Sequence, residues 1–237
     1  VVARKLPHRI VQGGTPGGAP PTDCGKTMLI TDIGQTKKGR YSIFCDGEFY
    51  CSLHADVFAP SRLKTGAEIA RGELDALHRR SELKITTDRA LRLLSVRSYS
   101  AHGLRQKLAA YTDEESADAA TARMAELGYI NDLDYARRLC TDCINRKGFS
   151  AYRAKQALRE KGIAREIIEQ VMDERDDDPE PQIAAVVLRK YMRFLEDEKG
   201  FAKTTNALLR LGYRHGDIRR VLENLMEDAG YYDDWEE

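Results

Sequence analysis

Between Thr27 and Leu53 the apolar residues come in short β-branched and aromatic runs, "MLITDI", "RYSIFC" and "EFYCSL", broken by Lys37-Lys38-Gly39 and by Asp46-Gly47. An Asp-Gly pair between such runs predicts a tight hairpin, because both central residues of that turn need positive φ. A small three-stranded meander follows, too slight to be stable in water unless it packs on something. After Pro60 the period changes to that of a helix and holds to about Asp228.

Within the helical part the chain repeats itself. "YSAHGLRQKLAAYT" from Tyr99, "FSAYRAKQALREKGI" from Phe149 and "FAKTTNALLRLGY" from Phe201 are versions of one amphipathic helix, each behind an aromatic residue. Leu158 and Leu208 stand four residues before Gly162 and Gly212, which read as C-cap glycines. A helix precedes each copy, at residues 88–97, 132–146 and 181–196, and another follows it, at residues 113–127, 164–174 and 215–226. Asn131 with Asp134 makes an approximate capping box, and Pro181 sits near a helix start, where its missing amide hydrogen does no harm. Phe149 before Ser150 is placed to clamp back onto its helix as a hydrophobic staple.

The fold expected is mainly α: an elongated array of tandem three-helix units behind a small N-terminal β-hairpin or meander. Each unit would bury its apolar stripe by stacking on its neighbours. The boundaries read as a Gly/Pro-rich disordered leader at 1–26, a β-containing region at 27–84 and units at 85–130, 131–178 and 179–228, then an acidic tail at 229–237. The acidic stretch Asp173–Glu180 reads as a solvated linker between the second and third units.

Composition narrows the function. Lys plus Arg number 38 and Asp plus Glu 38, so no net field draws the chain to nucleic acid or anionic lipid, and an electrostatic partner must meet a local patch. The apolar runs are too short to cross a bilayer and the first residues carry no signal-peptide core, so a cytoplasmic location is expected. Cys24, Cys45, Cys51, Cys140 and Cys143 form no regular framework and read as reduced thiols.

Catalytic chemistry finds no foothold. Cys140-Thr-Asp-Cys143 has a spacing used for zinc or redox exchange, but lacks the further ligands or the strand-to-helix junction those sites use. The two thiols share a helix face with Ala136, Leu139 and Ile144 and read as small core hydrophobes. His8, His54, His78, His102 and His215 lie apart, and no phosphate loop is present. No catalytic residue, metal ligand or cofactor is assigned.

Charge segregation is the positive signal. From Arg137 to Arg165, nine bases meet only Asp142 and Glu160, so the second unit is a basic island. On the helix from Ser150, Tyr152, Lys155 and Arg159 align at i, i+3 and i+7, opposite Ala151, Ala154 and Leu158. The candidate partner- or DNA-binding residues are Arg146, Lys147, Tyr152, Arg153, Lys155, Arg159 and Lys161. A stripe of this kind suits phosphates or an acidic protein groove. The acidic tail, opposite in sign, is expected to steer orientation or to compete for the island.

The succession "LRLLSVRSYSAHGLRQKL", "MAELGYINDLDYARRL", "KGFSAYRAKQALREKGI" and "IRRVLENL" resembles the RecX regulatory protein family, with Gly128-Tyr129-Ile130-Asn131-Asp132 and Tyr135-Ala136 its most specific part. The resemblance spans roughly Ile85 to Met226 and implies a non-catalytic modulator, most often an inhibitor, of the RecA recombinase in DNA repair and the SOS response. It implies the RecA nucleoprotein filament as partner, with single- or double-stranded DNA touched through the basic second unit, no membrane, and a monomeric chain. The rival class is a stand-alone DNA-binding protein that uses its three-helix units for recognition. Balanced charge speaks against it, since free DNA binding draws much of its affinity from phosphate neutralisation.

Overall fold

The computed structural model describes residues 27–175, 178–195 and 198–228. The leader, the tail and the middle of the acidic linker lie outside the described residues. The chain divides into two compact units, residues 1–80 and 81–237.

In the first unit, β1 (Thr27–Gln35), β2 (Tyr41–Cys45) and β3 (Glu48–Leu53) form an antiparallel meander, as their β-branched and aromatic runs predict. Asp46 and Gly47 turn the β2–β3 hairpin with φ of 50° and 90°. Two further elements follow: α1 (Ala55–Ser61), capped by His54, and β4 (Glu68–Ala70). The strand β4 pairs with β1, giving a four-stranded sheet of order β3-β2-β1-β4 in place of three strands. The packing surface the meander requires comes from the start of α2 (Arg71–Val96), whose Leu74 is fully buried among Ile30, Ile43 and Leu53.

The helix α2 is one 26-residue element that begins well before the expected start at Asp88. Its later residues Ala90, Leu93 and Leu94 pack with α3 (Ala101–Ala109) and α4 (Glu114–Glu126) around Leu104, Leu108 and Met124. A second core gathers Ala136, Cys140, Leu158 and Val171 from α5 (Asp132–Thr141), α6 (Ala151–Glu160) and α7 (Arg165–Asp173). A third joins Ile183, Val187, Leu208 and Leu222 from α8 (Pro179–Lys190), α9 (Glu198–Arg210) and α10 (His215–Asp228).

The three cores are separate, which corrects the expectation that neighbours bury one another's stripes. The helices of each unit already enclose seven to ten buried side chains, and the junctions add hydrogen bonds and close approaches such as Val186 against Gly148. Asn131 caps α5 through a 3.0 Å bond from the Asp134 amide, and α8 opens with Pro179 behind Asp178. After Thr141 the α5 helix widens into a π turn over Asp142–Lys147, which turns Cys143 and Ile144 inward before Gly148 ends it.

The third copy of the repeat differs from the first two. Tyr99 and Phe149 stand before the N-caps Ser100 and Ser150 and pack onto their own cores, as a staple does. Phe201 lies inside α9 instead. Counting back from Leu208 and Gly212, the position that matches Ser150 is Gly200, so the aromatic match runs two residues out of register.

Candidate functional site

The helix α6 is held at its head. The Ser150 hydroxyl accepts from the Arg153 amide at 3.2 Å and donates to the Gly212 carbonyl at 2.8 Å, while the Ser150 amide donates to the Leu211 carbonyl at 2.9 Å. One unit earlier the same joint recurs: Ser100 accepts from the Gly103 amide at 3.1 Å and donates to the Lys161 carbonyl at 2.7 Å. Each N-cap serine thus satisfies an orphan amide of its own helix and an orphan carbonyl of the next unit's middle helix. Both serines are buried.

Closeness at these joints is what the glycines supply. Gly162 and Gly212 have φ of 69° and 92°, and a Cβ on Gly212 would lie 2.6 Å from Ser150 Oγ and 2.9 Å from Arg153 Cβ. A Cβ on Gly162 would overlap the His102 ring. Two more ties flank them: the Ala101 amide donates to Asp132 at 2.8 Å, and Arg189 of α8 donates to the Asn145 and Arg146 carbonyls at 3.0 and 3.4 Å. Arginine here caps the carbonyl end of the π turn.

The seven candidate residues fall into two groups. Arg146 and Lys147 pair with Asp142 at 2.5 and 3.4 Å, and Lys147 also sits 5.6 Å from the Phe149 ring centre. Arg153 stacks over the same ring at 4.7 Å and donates to the Arg210 carbonyl at 2.5 Å. These three are engaged within the fold. Tyr152, 66% exposed, together with Lys155, Arg159 and Lys161, has no carboxylate bonded to it among the described residues.

Lys155 and Arg159 do meet a carboxylate at longer range. Glu169 on α7 is held below the usual carboxylate value, first by a 2.6 Å bond from Arg165 and further by the fields of Lys155 and Arg159. The face therefore gathers three cations around one acid. The count of bases across residues 137–165 misses such compensation, because the acids that answer them come later: Arg137 is bound by both oxygens of Glu174, at 2.8 and 2.6 Å. Those pairings are set by α5, α6 and α7 closing on one another, and no local spacing announces them.

Cys140 and Cys143 are fully buried, with Cys140 3.8 Å from the Met172 sulfur and burial pushing the Cys143 thiol above its ordinary value. Among the described residues no His, Cys, Asp or Glu side chains come together in a group of three that would hold a metal. No helix of the described residues is long and apolar enough to cross a membrane. The arrangement is a set of jointed helical units, the second of which carries a basic face with the exposed Tyr152 on α6.

A family model described as "RecX, second three-helix domain" matches residues 131–172. The chain is 36% identical over 140 residues to a regulatory protein RecX of Trichlorobacter lovleyi, covering 56% of this chain and 91% of that one. It is 28% identical over 208 residues to one from Clostridioides difficile, covering 86% and 98%. Two crystal structures share the fold: a regulatory protein RecX at 21% identity and TM-score 0.59, covering 83% of this chain and 99% of that one, and RecX from Lactobacillus salivarius at 20% and 0.52, covering 61% and 96%. With jointed three-helix units, a mainly helical fold behind a small antiparallel sheet and these relatives, the chain belongs to the RecX family of regulatory proteins.

Proposed function

We propose that this regulatory protein binds the RecA nucleoprotein filament and restrains its recombinase, ATPase and coprotease activities in DNA repair and the SOS response, performing no reaction itself. It acts as a monomer in the cytoplasm. The observation that carries the reading is the repeated joint, Ser100 on Lys161 and Ser150 on Gly212, which sets successive units in a recurring relation. A filament offers recurring sites, and linked weak contacts gain affinity through effective concentration.

Tyr152, Lys155 and Arg159 on α6, with Lys161 beside them, form the face that meets the filament, through acidic protein surface or DNA phosphate. Independent binding to free DNA is the weaker reading. Arg137, Arg146, Lys147 and Arg165 already pair with carboxylates of the fold, which leaves few cations to neutralise phosphates. The test adds purified protein to preformed RecA filaments and follows filament length and ATP turnover together. Shortened filaments and slowed turnover are expected. Unchanged filaments, with salt-sensitive binding to bare DNA, would replace this reading by the other.

A further inference from the structure

A strip of surface adjoins the α6 face at Tyr152 and continues onto α9 of the third unit. A groove of about 330 Å³ runs between α6 and the end of α9, lined by Phe149, Tyr152, Arg153 and Leu209 among others. Leu209, 40% exposed, also borders a second, open depression of about 530 Å³ formed with Lys203, Asn206 and Arg210. The two share that leucine, so apolar and aromatic surface passes into a basic margin. Neither Lys203 nor Arg210 has a carboxylate bonded to its side chain among the described residues.

We propose that residues 229–237, "AGYYDDWEE", dock on this strip in the same molecule, with Tyr231, Tyr232 and Trp235 against Leu209 and Tyr152 and the acids against Lys203 and Arg210. Charge complementarity selects this occupant: the segment carries Asp233, Asp234, Glu236 and Glu237 and no base. Its aromatic residues match the apolar half of the strip, where rings lose little conformational entropy on burial. Reach permits it. The segment leaves α10 at Asp228, and α10, 14 residues long, spans about 20 Å from a start just past Arg210. Nine further residues extend up to about 30 Å, enough to retrace that helix.

The tethered segment meets the strip at an effective concentration that a free peptide lacks. Trp235 is the single tryptophan of the chain and reports its own surroundings. The measurement uses the full chain without RecA, so its failure leaves the filament reading untouched. Tryptophan emission is compared with that of a free peptide of residues 227–237. Docking shifts the chain's emission to the blue and lowers acrylamide quenching about twofold, and both effects revert in Lys203→Glu with Arg210→Glu and at high salt. Leu209→Ser weakens the shift without a change of charge. Emission and quenching equal to those of the free peptide would overturn the proposal. So would a full shift retained in the double variant at unchanged helix content, or a shift that grows with protein concentration and so belongs to a second copy.

Discussion

The Ser150 hydroxyl and the Gly212 carbonyl, 62 residues apart, meet at 2.8 Å, and this single bond does for the second and third units what Ser100 and Lys161 do for the first and second. In each case one side chain begins a helix and fastens the unit it belongs to onto the next. Ser150→Ala and Ser100→Ala therefore each lose a cap, worth about 1 kcal/mol, and leave a part-buried carbonyl without its donor, for a total of about 2 kcal/mol. Urea unfolding measures the loss. A cost near zero would mean that the joint contributes nothing to stability.

Glycine substitutions separate the backbone cost from the joint. Gly128, at φ 76°, has open space where a Cβ would go, so Gly128→Ala meets only the left-handed penalty of about 1–2 kcal/mol. Gly212→Ala adds the close approach to Ser150 and Arg153, and Gly162→Ala the overlap with His102, for roughly 1–3 kcal/mol more. Thermal unfolding of the three variants should rank Gly128→Ala mildest. Equal costs would show that the junctions yield without resistance.

Asp113 caps α4 by accepting from the Ser116 amide at 2.8 Å, and that bond is the leading cause holding its carboxyl below the usual value. A depressed folded value means stabilisation that is complete above the unfolded value, about 3.9, and lost as pH falls through the lower folded one. Asp113→Asn keeps a cap but not the charge. Its stability should fall below that of the native chain near neutral pH, with the gap closing below about pH 4. A gap independent of pH would remove the carboxylate charge from the account.

How much of this was legible in the sequence depended on whether a feature was local. Short β-branched and aromatic runs gave β1 to β3, Asp46-Gly47 gave the β2–β3 turn, and the spacing from Leu158 to Gly162 gave the end of α6. The strand β4 escaped notice because three residues carry no period and its partner, β1, lies some 40 residues earlier. Pro60 reads as a break, yet it sits in the last turn of α1, and the polar stretch from Arg71 hid the start of α2. At Phe201 a conspicuous aromatic outweighed the Leu208–Gly212 spacing, which had the register right. The joints themselves were invisible: Ser150 reads as a cap, and nothing nearby says that its hydrogen has a taker 62 residues on.

The buried thiols give a sharp chemical test. With Cys140 and Cys143 enclosed among Ala136, Leu158 and Met172, and the Cys143 thiol raised by burial, thiol reagents should label neither until the chain is unfolded. Cys143→Ser, which places a hydroxyl in a largely apolar site with the Lys147 Nζ, 3.9 Å from the native sulfur, as its polar neighbour, should cost about 1–3 kcal/mol. Metal analysis before and after replacing both with Ala should read the same. Stoichiometric zinc lost with the pair, the helices staying folded, would defeat the core assignment.

The face of α6 is tested by reversing its charge. Lys155→Glu with Arg159→Glu turns three cations around Glu169 into one cation among three acids, so an acidic filament surface or a phosphate would be repelled where it was attracted. Arg159 is exposed and Lys155 half-buried, and neither belongs to the core that holds Ala154 and Leu158, so helix content should stay unchanged by circular dichroism. Inhibition of RecA ATP turnover is expected to weaken about tenfold, equivalent to roughly 1.4 kcal/mol over two rim positions. Lys107→Glu with Arg123→Glu, an equal reversal on exposed positions of α3 and α4, should leave inhibition as it was, because net charge alone is not the determinant. If both pairs act alike, attraction is a property of the whole molecule, and if neither acts, the basic face has no part in binding.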